Sequence, residues 1–308
     1  MAFQAALATC GALAAAIGWS MSASKPRTAA AAGGAAAALP FDVQAVGKDI
    51  VAALEANASP QVTPATLVRL AWHDCGTWEA KSGTGGCHAS MRFAPESEHG
   101  ANAGLAHARA FLEPIHQKHP GIGYADLWTF ASGVAIEHMG GPHIEWRWGR
   151  KDARSGAECA PDGRLPDASK GAAHIREVFG RMGLTDREAV VLIGGGHAVG
   201  KCHADRSGFV GPWKHDFLFF DNGFFRNLFD EKWAVDKTKK QLQYTDEATK
   251  KLMMLPTDLA MRDDAGLAGA SREFAANNDK FQAEFAAAYK KLMEFGGSAL
   301  HPAPQFRP

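Results

Sequence analysis

Residues 63–78 of the chain read TPATLVRLAWHDCGTW, and this stretch predicts a buried helix with a defined start. Pro64 follows Thr63, and proline is favoured at the first helical position because its missing N–H costs no hydrogen bond there. Arg69, Trp72 and His73 are spaced at i, i+3 and i+4, so their side chains project from one face of this helix. The residues between them are apolar, which indicates that the face points into the protein.

An arginine four residues before a histidine is unusual in a core and suits proton transfer. The guanidinium disfavours protonation of the imidazole, so His73 is expected to have a lowered pKa and to act as a free base. Such a base can move a proton between two oxygens while Arg69 stabilises negative charge on the leaving oxygen. The alternative is structural: Arg69 pairs with a carboxylate such as Asp74, and His73 is a core residue with its hydrogen bonds satisfied.

A second candidate site follows from residues 186–203, which read DREAVVLIGGGHAVGKCH. Three glycines precede His197, and consecutive glycines usually permit the close approach of a bulky group, so something flat could lie against this helix end. The alternative is a plain helix C-cap followed by a surface histidine. Trp213 follows in SGFVGPW and Asp258 in MMLPTD. If Asp258 accepts the second ring N–H of His197, it fixes the imidazole tautomer and makes the ring a stronger donor ligand.

Helical patterns continue through the rest of the chain. Apolar side chains on one stripe predict a helix over 42–56, and two more helices are predicted over 102–119 and 124–138. Thr185 and Glu188 form a capping box in front of an apolar run, which predicts another helix start.

A single long helix is predicted over 271–295, ended by the glycine pair 296–297. One face of this helix would carry the apolar side chains Phe274, Phe281, Phe285, Tyr289 and Leu292. No run of alternating strands and no internal repeat appears. The predicted fold class is therefore mostly α, with 41–308 as one catalytic unit that divides into two helical lobes near residue 150.

The first 40 residues differ from the rest in composition. Residues 1–24 carry no charged side chain and are long enough to cross a bilayer as a helix, which predicts an N-terminal membrane anchor. A cleaved targeting peptide is the alternative. Residues 25–40 are rich in alanine and glycine and are predicted to be a low-complexity linker.

Composition and charge exclude several classes of protein. With 46% hydrophobic and 21% charged residues the 308-residue chain is ordinary for a globular protein. Lys+Arg 33 balance Asp+Glu 33, so there is no basic field of the kind that a general nucleic-acid binder uses. Five cysteines do not indicate a disulfide framework, and no bond is predicted between Cys75 and Cys87. Cys202, near His197, is either an oxidisable thiol or, as we prefer, a small buried residue.

Zinc chemistry is the main alternative for the histidines. However, HExxH is absent, and the cysteines lack the paired C-x-x-C spacing of structural zinc sites. A zinc hydrolase that used His73 and His197 would explain neither Trp213 nor the three glycines. There is also no P-loop, no GxGxxG and no serine nucleophile elbow.

Taken together, these motifs resemble the class I haem peroxidases, and most closely cytochrome c peroxidase and ascorbate peroxidase. Matching stretches cover almost all of 41–300; they are LVRLAWHDCGTW, GANAGL, FLEPIH, GRLPDA, DREAVVLIGGGHAVGKCH, SGFVGPW and MMLPTD. The pattern is also similar to trypanosomatid peroxidases, hybrids of the two enzymes that carry an N-terminal apolar anchor. The resemblance implies a two-lobed fold with a b-type haem between the lobes and hydrogen peroxide as the oxidant.

The resemblance assigns roles to the residues around His197. His197 would be the axial ligand of the haem iron and Asp258 its hydrogen-bond partner. Trp213 would lie against His197 and, as in cytochrome c peroxidase, hold one oxidising equivalent as a radical cation. Lys201 and His203 match positions that contact the haem propionates.

On the opposite side of the haem, the resemblance makes His73 the base and Arg69 the charge stabiliser. Trp72 would pack over the iron, and Asn102 would orient His73. A haem-binding sensor without turnover, a different class of protein, would need neither Arg69 nor His73.

The residues that would select the electron donor depart from both parent enzymes. Arg206 occupies the place of an arginine that ascorbate peroxidases use, but Gln61 stands where they have a lysine. The preferred donor is therefore ferrocytochrome c, oxidised through Trp213, with Arg206 permitting slower ascorbate turnover. Ascorbate as the main donor is the alternative. Asp216 is a candidate docking carboxylate for cytochrome c if its loop is exposed.

A potassium or calcium ion on the His197 side, which ascorbate peroxidases bind, is doubtful here. Ala198 stands where those enzymes have a threonine and Lys214 follows Trp213, although Asp221 is retained. A nearby cation would disfavour a tryptophan radical cation, so a weakened cation site, together with Met253-Met254, favours oxidation of Trp213. For the methionines, helix packing is the alternative. The expected location is mitochondrial, anchored to the membrane and facing the intermembrane space, with the endoplasmic reticulum membrane as the alternative.

Overall fold

The computed structural model describes residues 38–308, and ten α-helices form the framework of this part of the chain. They are α1 (Val43–Glu55), α2 (Pro64–Cys75), α3 (Leu105–Lys118), α4 (Tyr124–His138), α5 (Ala172–Arg181), α6 (Asp186–His197), α7 (Gly223–Asp230), α8 (Pro256–Asp263), α9 (Ala265–Ala276) and α10 (Asn278–Met293). The mostly α class predicted from the sequence is confirmed.

The strands of the described residues are short and all pair antiparallel. They are β1 (Arg147–Trp148), β2 (Lys201–Cys202), β3 (Gly211–Pro212), β4 (Trp233–Val235), β5 (Tyr244–Asp246), β6 (Met253–Met254) and β7 (His301–Pro302). β1 pairs with β7, β2 with β3, and β4, β5 and β6 form a three-stranded sheet in that order.

Local signals in the sequence set where the two site-bearing helices begin. α2 begins at Pro64, and the Thr66 hydroxyl accepts a hydrogen bond from the backbone N–H of Thr63 at 3.1 Å. At the start of α6, Glu188 N donates to Thr185 Oγ1 at 3.2 Å and Thr185 N donates to Glu188 Oε2 at 2.8 Å. These reciprocal bonds are the predicted capping box, which satisfies two backbone donors that the first helical turn leaves free.

The core places α2 and α6 next to each other. α2 packs mainly on α4, a helix buried along most of its length, whereas α6 packs on α9, α10 and α5. α10 contacts both α2 and α6, and these two also contact each other directly. The two sequence motifs with candidate chemistry therefore lie on neighbouring buried helices.

The single helix predicted over 271–295 is wrong, because α9 ends at Ala276 and α10 begins at Asn278. Between them Asn277 has extended backbone angles, and its side-chain oxygen accepts from Lys280 N at 2.9 Å as the cap of α10. The predicted apolar face is nevertheless buried, comprising Phe274, Phe281, Phe285, Tyr289 and Leu292. Because the spacing of the apolar side chains continues across Asn277, the sequence pattern did not reveal the break between α9 and α10.

The prediction that Cys75 and Cys87 are not bonded is also wrong, because they form a disulfide with Cα atoms 4.3 Å apart. The intervening loop folds back on the end of α2 because Gly85 and Gly86 adopt positive φ angles of 76° and 92° that favour glycine. Gly86 N also donates to the Thr77 hydroxyl at 3.0 Å, which holds the returning chain in place.

The predicted membrane anchor over 1–24 and most of the predicted linker over 25–40 lie outside the described residues. Within 38–308, none of the helices combines the length and apolar character needed to cross a bilayer.

Candidate active site

The His73 imidazole is fixed through its Nδ1 atom, which lies 2.9 Å from Asn102 Oδ1. Asn102 is buried, and its Nδ2 donates to the backbone carbonyl of Glu96 at 2.8 Å, so the amide presents its oxygen to the ring. An oxygen can only accept, and therefore Nδ1 of His73 carries the proton. Nε2 keeps its lone pair and is the ring atom able to take a proton.

Arg69 extends from the same face of α2 and is held by backbone carbonyls. Its guanidinium donates to Ala103 O at 3.0 Å and to Ala101 O at 2.6 Å. These are neutral acceptors, so the positive charge is not cancelled. The alternative in which Arg69 pairs with Asp74 is wrong, because the Asp74 carboxyl accepts from Ala89 N at 2.9 Å instead.

The electrostatics of the α2 face keep His73 neutral. Burial lowers the pKa of His73 to about 3, with the Arg69 charge acting in the same direction and the Asn102 hydrogen bond opposing both. Burial also lowers the pKa of Arg69 to about 10, assisted by the nearby charge of Arg206. At neutral pH the pair is therefore a free imidazole base beside a cation.

Trp72, the third residue of this face, stacks on Phe179 of α5 with ring centroids 5.6 Å apart and planes 13° apart. Its ring is half-buried. This contact fixes the indole against the protein on one side.

The His197 imidazole is also fixed through Nδ1, but by a carboxylate. Nδ1 donates to Asp258 Oδ1 at 2.8 Å, and Asp258 is fully buried. The other carboxylate oxygen accepts from Trp213 Nε1 and from Leu255 N, both at 2.8 Å. Nε2 of His197 keeps its lone pair, which suits a metal ligand, and the carboxylate makes that nitrogen more electron-rich.

Trp213 completes the group around Asp258. Its indole is buried and stacks on the His197 ring, with centroids 4.1 Å apart and planes 10° apart. Its backbone carbonyl accepts from Asn227 Nδ2 at 3.1 Å. The indole is thus held by a hydrogen bond at its edge, a ring on its face and its own backbone.

The three glycines before His197 serve two different purposes. A methyl group at Gly194 would lie 2.1 Å from the ring of Phe225, and one at Gly195 would lie 2.2 Å from the ring of Phe285. The flat groups at these two positions are therefore side chains of the core. At Gly196 an added methyl would meet nothing within 4 Å, so this last glycine borders open space beside His197.

The other predicted site residues lie in the segment after α6. Lys201 is exposed in β2 with its ammonium 5.3 Å over the Phe217 ring. His203 is half-buried, and burial lowers its pKa, followed by the charge of Arg206. Asp216 is exposed, as a docking residue requires.

Arg206 lies at the edge of the His73 group. Its side chain packs over Gly104, and Nη2 donates to the backbone oxygen of Gln61 at 3.5 Å. Gln61 is the position at which the sequence comparison with ascorbate peroxidases expects a lysine, so the structure places Arg206 and this position next to each other.

Burial raises the pKa of the Cys202 thiol to about 11, so the thiol stays protonated at neutral pH. The charges of both Asp258 and Arg69 also act on the Cys202 thiol, the first raising its pKa and the second lowering it. A protonated thiol is a poor nucleophile, and Cys202 is half-buried against the core, not fully buried as the sequence interpretation had it.

Lys214 follows Trp213 and is buried. Its ammonium donates to the Phe219 carbonyl at 2.6 Å and forms an ion pair with Asp221. Met253 and Met254 are also buried, as part of the hydrophobic core.

Several residues that hold the site were missed from the sequence. They act through backbone atoms or as packing surfaces, namely Glu96, Ala101, Ala103, Phe179, Phe224 and Leu255. A residue that acts through its backbone atoms can be of almost any type, so the sequence does not mark it. The exception is Glu96, a fully buried acid whose carboxylate accepts from Ser90 and Ala160 N.

A family model described as Peroxidase matches residues 46–277. The chain belongs to the peroxidase family. It is 55% identical over 231 residues to a mitochondrial cytochrome c peroxidase of Emericella nidulans. The aligned region covers 75% of this chain and 63% of that protein. It is 48% identical over 258 residues to a mitochondrial cytochrome c peroxidase of Neurospora crassa, covering 83% of this chain and 72% of that one.

A third relative, from Aspergillus fumigatus, is named as a proposed heme-binding peroxidase. It is 46% identical over 271 residues, covering 83% of this chain and 82% of the relative. The chain thus spans 63% of the Emericella nidulans peroxidase and a larger share of the other two.

Proposed function

We propose that the protein is a haem peroxidase that reduces hydrogen peroxide to water with electrons from ferrocytochrome c. The observation that carries the proposal is the pair of imidazoles on neighbouring helices, each fixed through Nδ1 by a different kind of partner. One is a neutral base beside a cation, and the other is a carboxylate-supported ligand.

The residues fit a b-type haem between the two parts of the chain divided near residue 150. His197 offers the free Nε2 that an axial iron ligand needs, and the space beside Gly196 is open. Lys201 and His203, which follow α6, would hold the propionates. When bound, the haem iron supplies the redox chemistry that delivers two electrons to peroxide.

The α2 residues would manage the protons of peroxide. His73 Nε2 takes a proton from the bound peroxide oxygen and returns it to the oxygen that leaves as water. Arg69, held by neutral carbonyls, keeps its full charge available for the negative charge on the leaving oxygen. Trp72 would limit the space above a bound haem, and Asn102 keeps the proton of His73 on Nδ1.

Trp213 would transfer the electrons from cytochrome c. Its indole is stacked on the iron ligand and hydrogen-bonded to Asp258, which favours a positive charge on the ring because the carboxylate is close. Asp216 stands exposed three residues later, where it would contact a basic partner. The names of the Emericella and Neurospora relatives support cytochrome c as the donor and the mitochondrion as the location.

Lys214 would take the place of a bound potassium or calcium ion. A carboxylate and a carbonyl oxygen, the ligands that such a cation prefers, already bind the Lys214 ammonium. The ion pair with Asp221, which Arg226 also contacts at 3.4 Å, offsets part of the ammonium charge and so reduces its effect on a Trp213 radical cation. No separate cation is then required.

Ascorbate is the second candidate donor, favoured by Arg206 at the rim beside Gln61. With one cation instead of two, ascorbate turnover would be slower than cytochrome c turnover. Residues 1–24 would anchor the enzyme to a mitochondrial membrane, with the haem domain in the intermembrane space.

The test is purification of the full chain with haem and addition of hydrogen peroxide. An intense Soret band that shifts with peroxide is expected, whereas a Soret band that ignores peroxide would leave only a haem-binding protein. Trp213→Phe should then abolish ferrocytochrome c oxidation and leave ascorbate oxidation largely intact, and Arg206→Ala should do the reverse. Trp148→Phe, a change at a tryptophan that packs against His301, is the matched control. Cytochrome c turnover that survives Trp213→Phe would remove Trp213 from the electron path.

A further inference from the structure

Three aliphatic side chains stand exposed at one end of the β4–β5 hairpin. Val210, Val235 and Leu242 are 37%, 47% and 49% exposed. Among the described residues, Leu218 and Phe219 are the only other large hydrophobic residues that are similarly exposed. Val235 ends β4, and Leu242 lies two residues before β5.

Backbone pairing within the hairpin and the side-chain amide of Gln243 fix the segments that carry these three residues. Val235 is the register partner of Tyr244, and Asp236 N donates to Gln243 O at 2.9 Å, which closes the hairpin. Gln243 is buried and bonds both backbone groups of Val210, donating to its oxygen at 2.8 Å and accepting from its nitrogen at 2.9 Å. The segment around Val210 is thereby fixed beside the hairpin. We call Val210, Val235 and residues 236–243 the hairpin tip.

The hairpin tip is rich in lysine. Lys237 and Lys240 are exposed, and Lys239 lies 4.0 Å from Asp236. The pKa of Asp236 is lowered mainly by hydrogen bonds from Thr238, and the charges of Lys239 and Lys250 add to this, so Lys250 also lies near the tip. Residues 232–251 contain no arginine and six lysines, which are Lys232, Lys237, Lys239, Lys240, Lys250 and Lys251.

We propose that the hairpin tip binds the surface of a bilayer containing anionic phospholipids. The three aliphatic side chains would enter the headgroup region, and the flexible lysines would reach the lipid phosphates around them. The chain as a whole is neutral, so this is a local feature and not a general positive field.

Composition favours a lipid surface over an acidic protein as the partner. Protein interfaces are enriched in arginine and aromatic residues and depleted in lysine, because arginine and aromatic side chains lose less entropy per contact. The exposed residues of the hairpin tip are lysines, aliphatic residues and the uncharged polar residues Thr238 and Gln241, and none is an arginine or an aromatic residue. Lysines beside aliphatic side chains are the pattern of peripheral membrane segments, where phosphate positions are diffuse and a mobile point charge suffices.

The experiment is co-sedimentation of the full-length holoenzyme with vesicles. Two compositions are used, pure phosphatidylcholine and phosphatidylcholine with about a third phosphatidylglycerol. Lys237→Glu/Lys240→Glu should weaken binding to the anionic vesicles on the order of tenfold, since each lysine near such a surface contributes several-fold. Val235→Ser/Leu242→Ser should weaken it as well, and 0.5 M salt should weaken wild-type binding by screening.

The matched control is Lys48→Glu/Lys81→Glu, which makes the same charge change at exposed lysines outside the hairpin tip. It should bind anionic vesicles like the wild type, and peroxide turnover should be equal in all three variants. Because each variant keeps residues 1–37, any contribution of that segment, including the proposed anchor, is common to all. The binding compared between variants is therefore the increase from pure phosphatidylcholine to anionic vesicles. Equal binding by the tip variants and the control, or loss of binding by all three, would overturn the proposal. Tip variants that lose binding to an acidic protein but not to vesicles would also overturn it.

Discussion

The two imidazoles of the site are held by the same ring atom and differ in what holds them. Nδ1 of His73 meets the amide oxygen of Asn102 at 2.9 Å, whereas Nδ1 of His197 meets the carboxylate of Asp258 at 2.8 Å. Both partners fix the tautomer and leave Nε2 free. Only the carboxylate adds negative charge.

In the proposed function, this difference in charge separates the base, His73, from the iron ligand, His197. A neutral amide orients His73 without stabilising its protonated form strongly, so burial and Arg69 lower its pKa to about 3. A carboxylate instead pushes electron density into His197 and strengthens it as a metal ligand. The proposed chemistry of each histidine is therefore set by the residue that its Nδ1 atom contacts.

The largest expected effect comes from removing the base. His73→Leu should slow the reaction of the holoenzyme with peroxide by about 10⁴-fold, the upper end for general acid–base catalysis, because no other described group is placed to move the proton. Stopped-flow measurement of the Soret change gives the rate. His107→Leu, at an exposed position of α3, should react like the wild type. A loss of only a few-fold in His73→Leu would show that water can replace the base.

Removing the cation should have the next largest effect. Arg69→Leu should lower the peroxide rate by about 10²-fold, because negative charge on the leaving oxygen loses its stabilising partner. The same change removes one of the two causes that lower the pKa of His73. Arg154→Leu, at an exposed arginine, is the control and should leave the rate unchanged.

The pH dependence tests the electrostatic part of the Arg69 prediction. In the wild type the imidazole is neutral above its pKa of about 3, so the peroxide rate should be flat from about pH 4 to pH 8 and fall only below that range. In Arg69→Leu the pKa rises toward the ordinary histidine value, and the acid limb should move to higher pH. An acid limb that stays in place would mean that burial alone lowers the pKa.

Removing the Asp258 carboxylate that holds His197 should lower turnover by about 10- to 100-fold, the usual range for a residue that supports a metal ligand. In Asp258→Asn one acceptor oxygen must serve His197, Trp213 and Leu255 N, and the new NH₂ group faces a donor. Cytochrome c turnover and the spectrum of the haem should both change. Asp216→Asn, the same chemical change at an exposed site, should leave the haem spectrum unchanged.

The reciprocal change puts a carboxylate on the His73 side. Asn102→Asp should raise the pKa of His73, so that the acid limb of the peroxide rate moves up and the rate near pH 5 falls by about tenfold. Asn57→Asp, at an exposed position just after α1, adds the same charge outside the hydrogen bonds of His73 and should leave the profile unchanged. If Asn102→Asp keeps the wild-type profile, the difference in partners does not control the base.

Local features were predictable from the sequence because each depends on residues a few positions apart. The start of α2 at Pro64 and the capping box of α6 are set within one helical turn. The spacing that puts Arg69 and His73 on one face also holds in the structure. The mostly α class follows from adding such local signals along the chain.

Features that depend on distant parts of the chain could not be predicted. The reason for Gly194 and Gly195 lies in the rings of Phe225 and Phe285, which approach from other helices. The break at Asn277 is hidden because the apolar spacing continues through it. Whether two cysteines meet depends on the path of the loop between them, which composition does not specify.

The disulfide itself provides the last prediction, which concerns stability more than rate. Cys75 ends the helix that carries His73, and its bond to Cys87 is the one covalent cross-link among the described residues. The link closes a loop of 12 residues, so its removal should lower the free energy of unfolding by about 3 kcal/mol through the greater entropy of the unfolded chain. Cys87→Ser should therefore lower the melting temperature of the holoenzyme by about 5–10 °C.

The peroxide rate should change little in Cys87→Ser, because Asn102 and the carbonyls that hold Arg69 come from a different segment. Cys159→Ser, at a cysteine that is free, should keep the wild-type melting temperature. Reductant should lower the melting temperature of the wild type to that of Cys87→Ser and leave the variant unchanged. A large loss of peroxide rate at unchanged stability would instead mean that the cross-link positions His73. The base His73, unlike the proposed ligand His197, would then depend on a covalent bond.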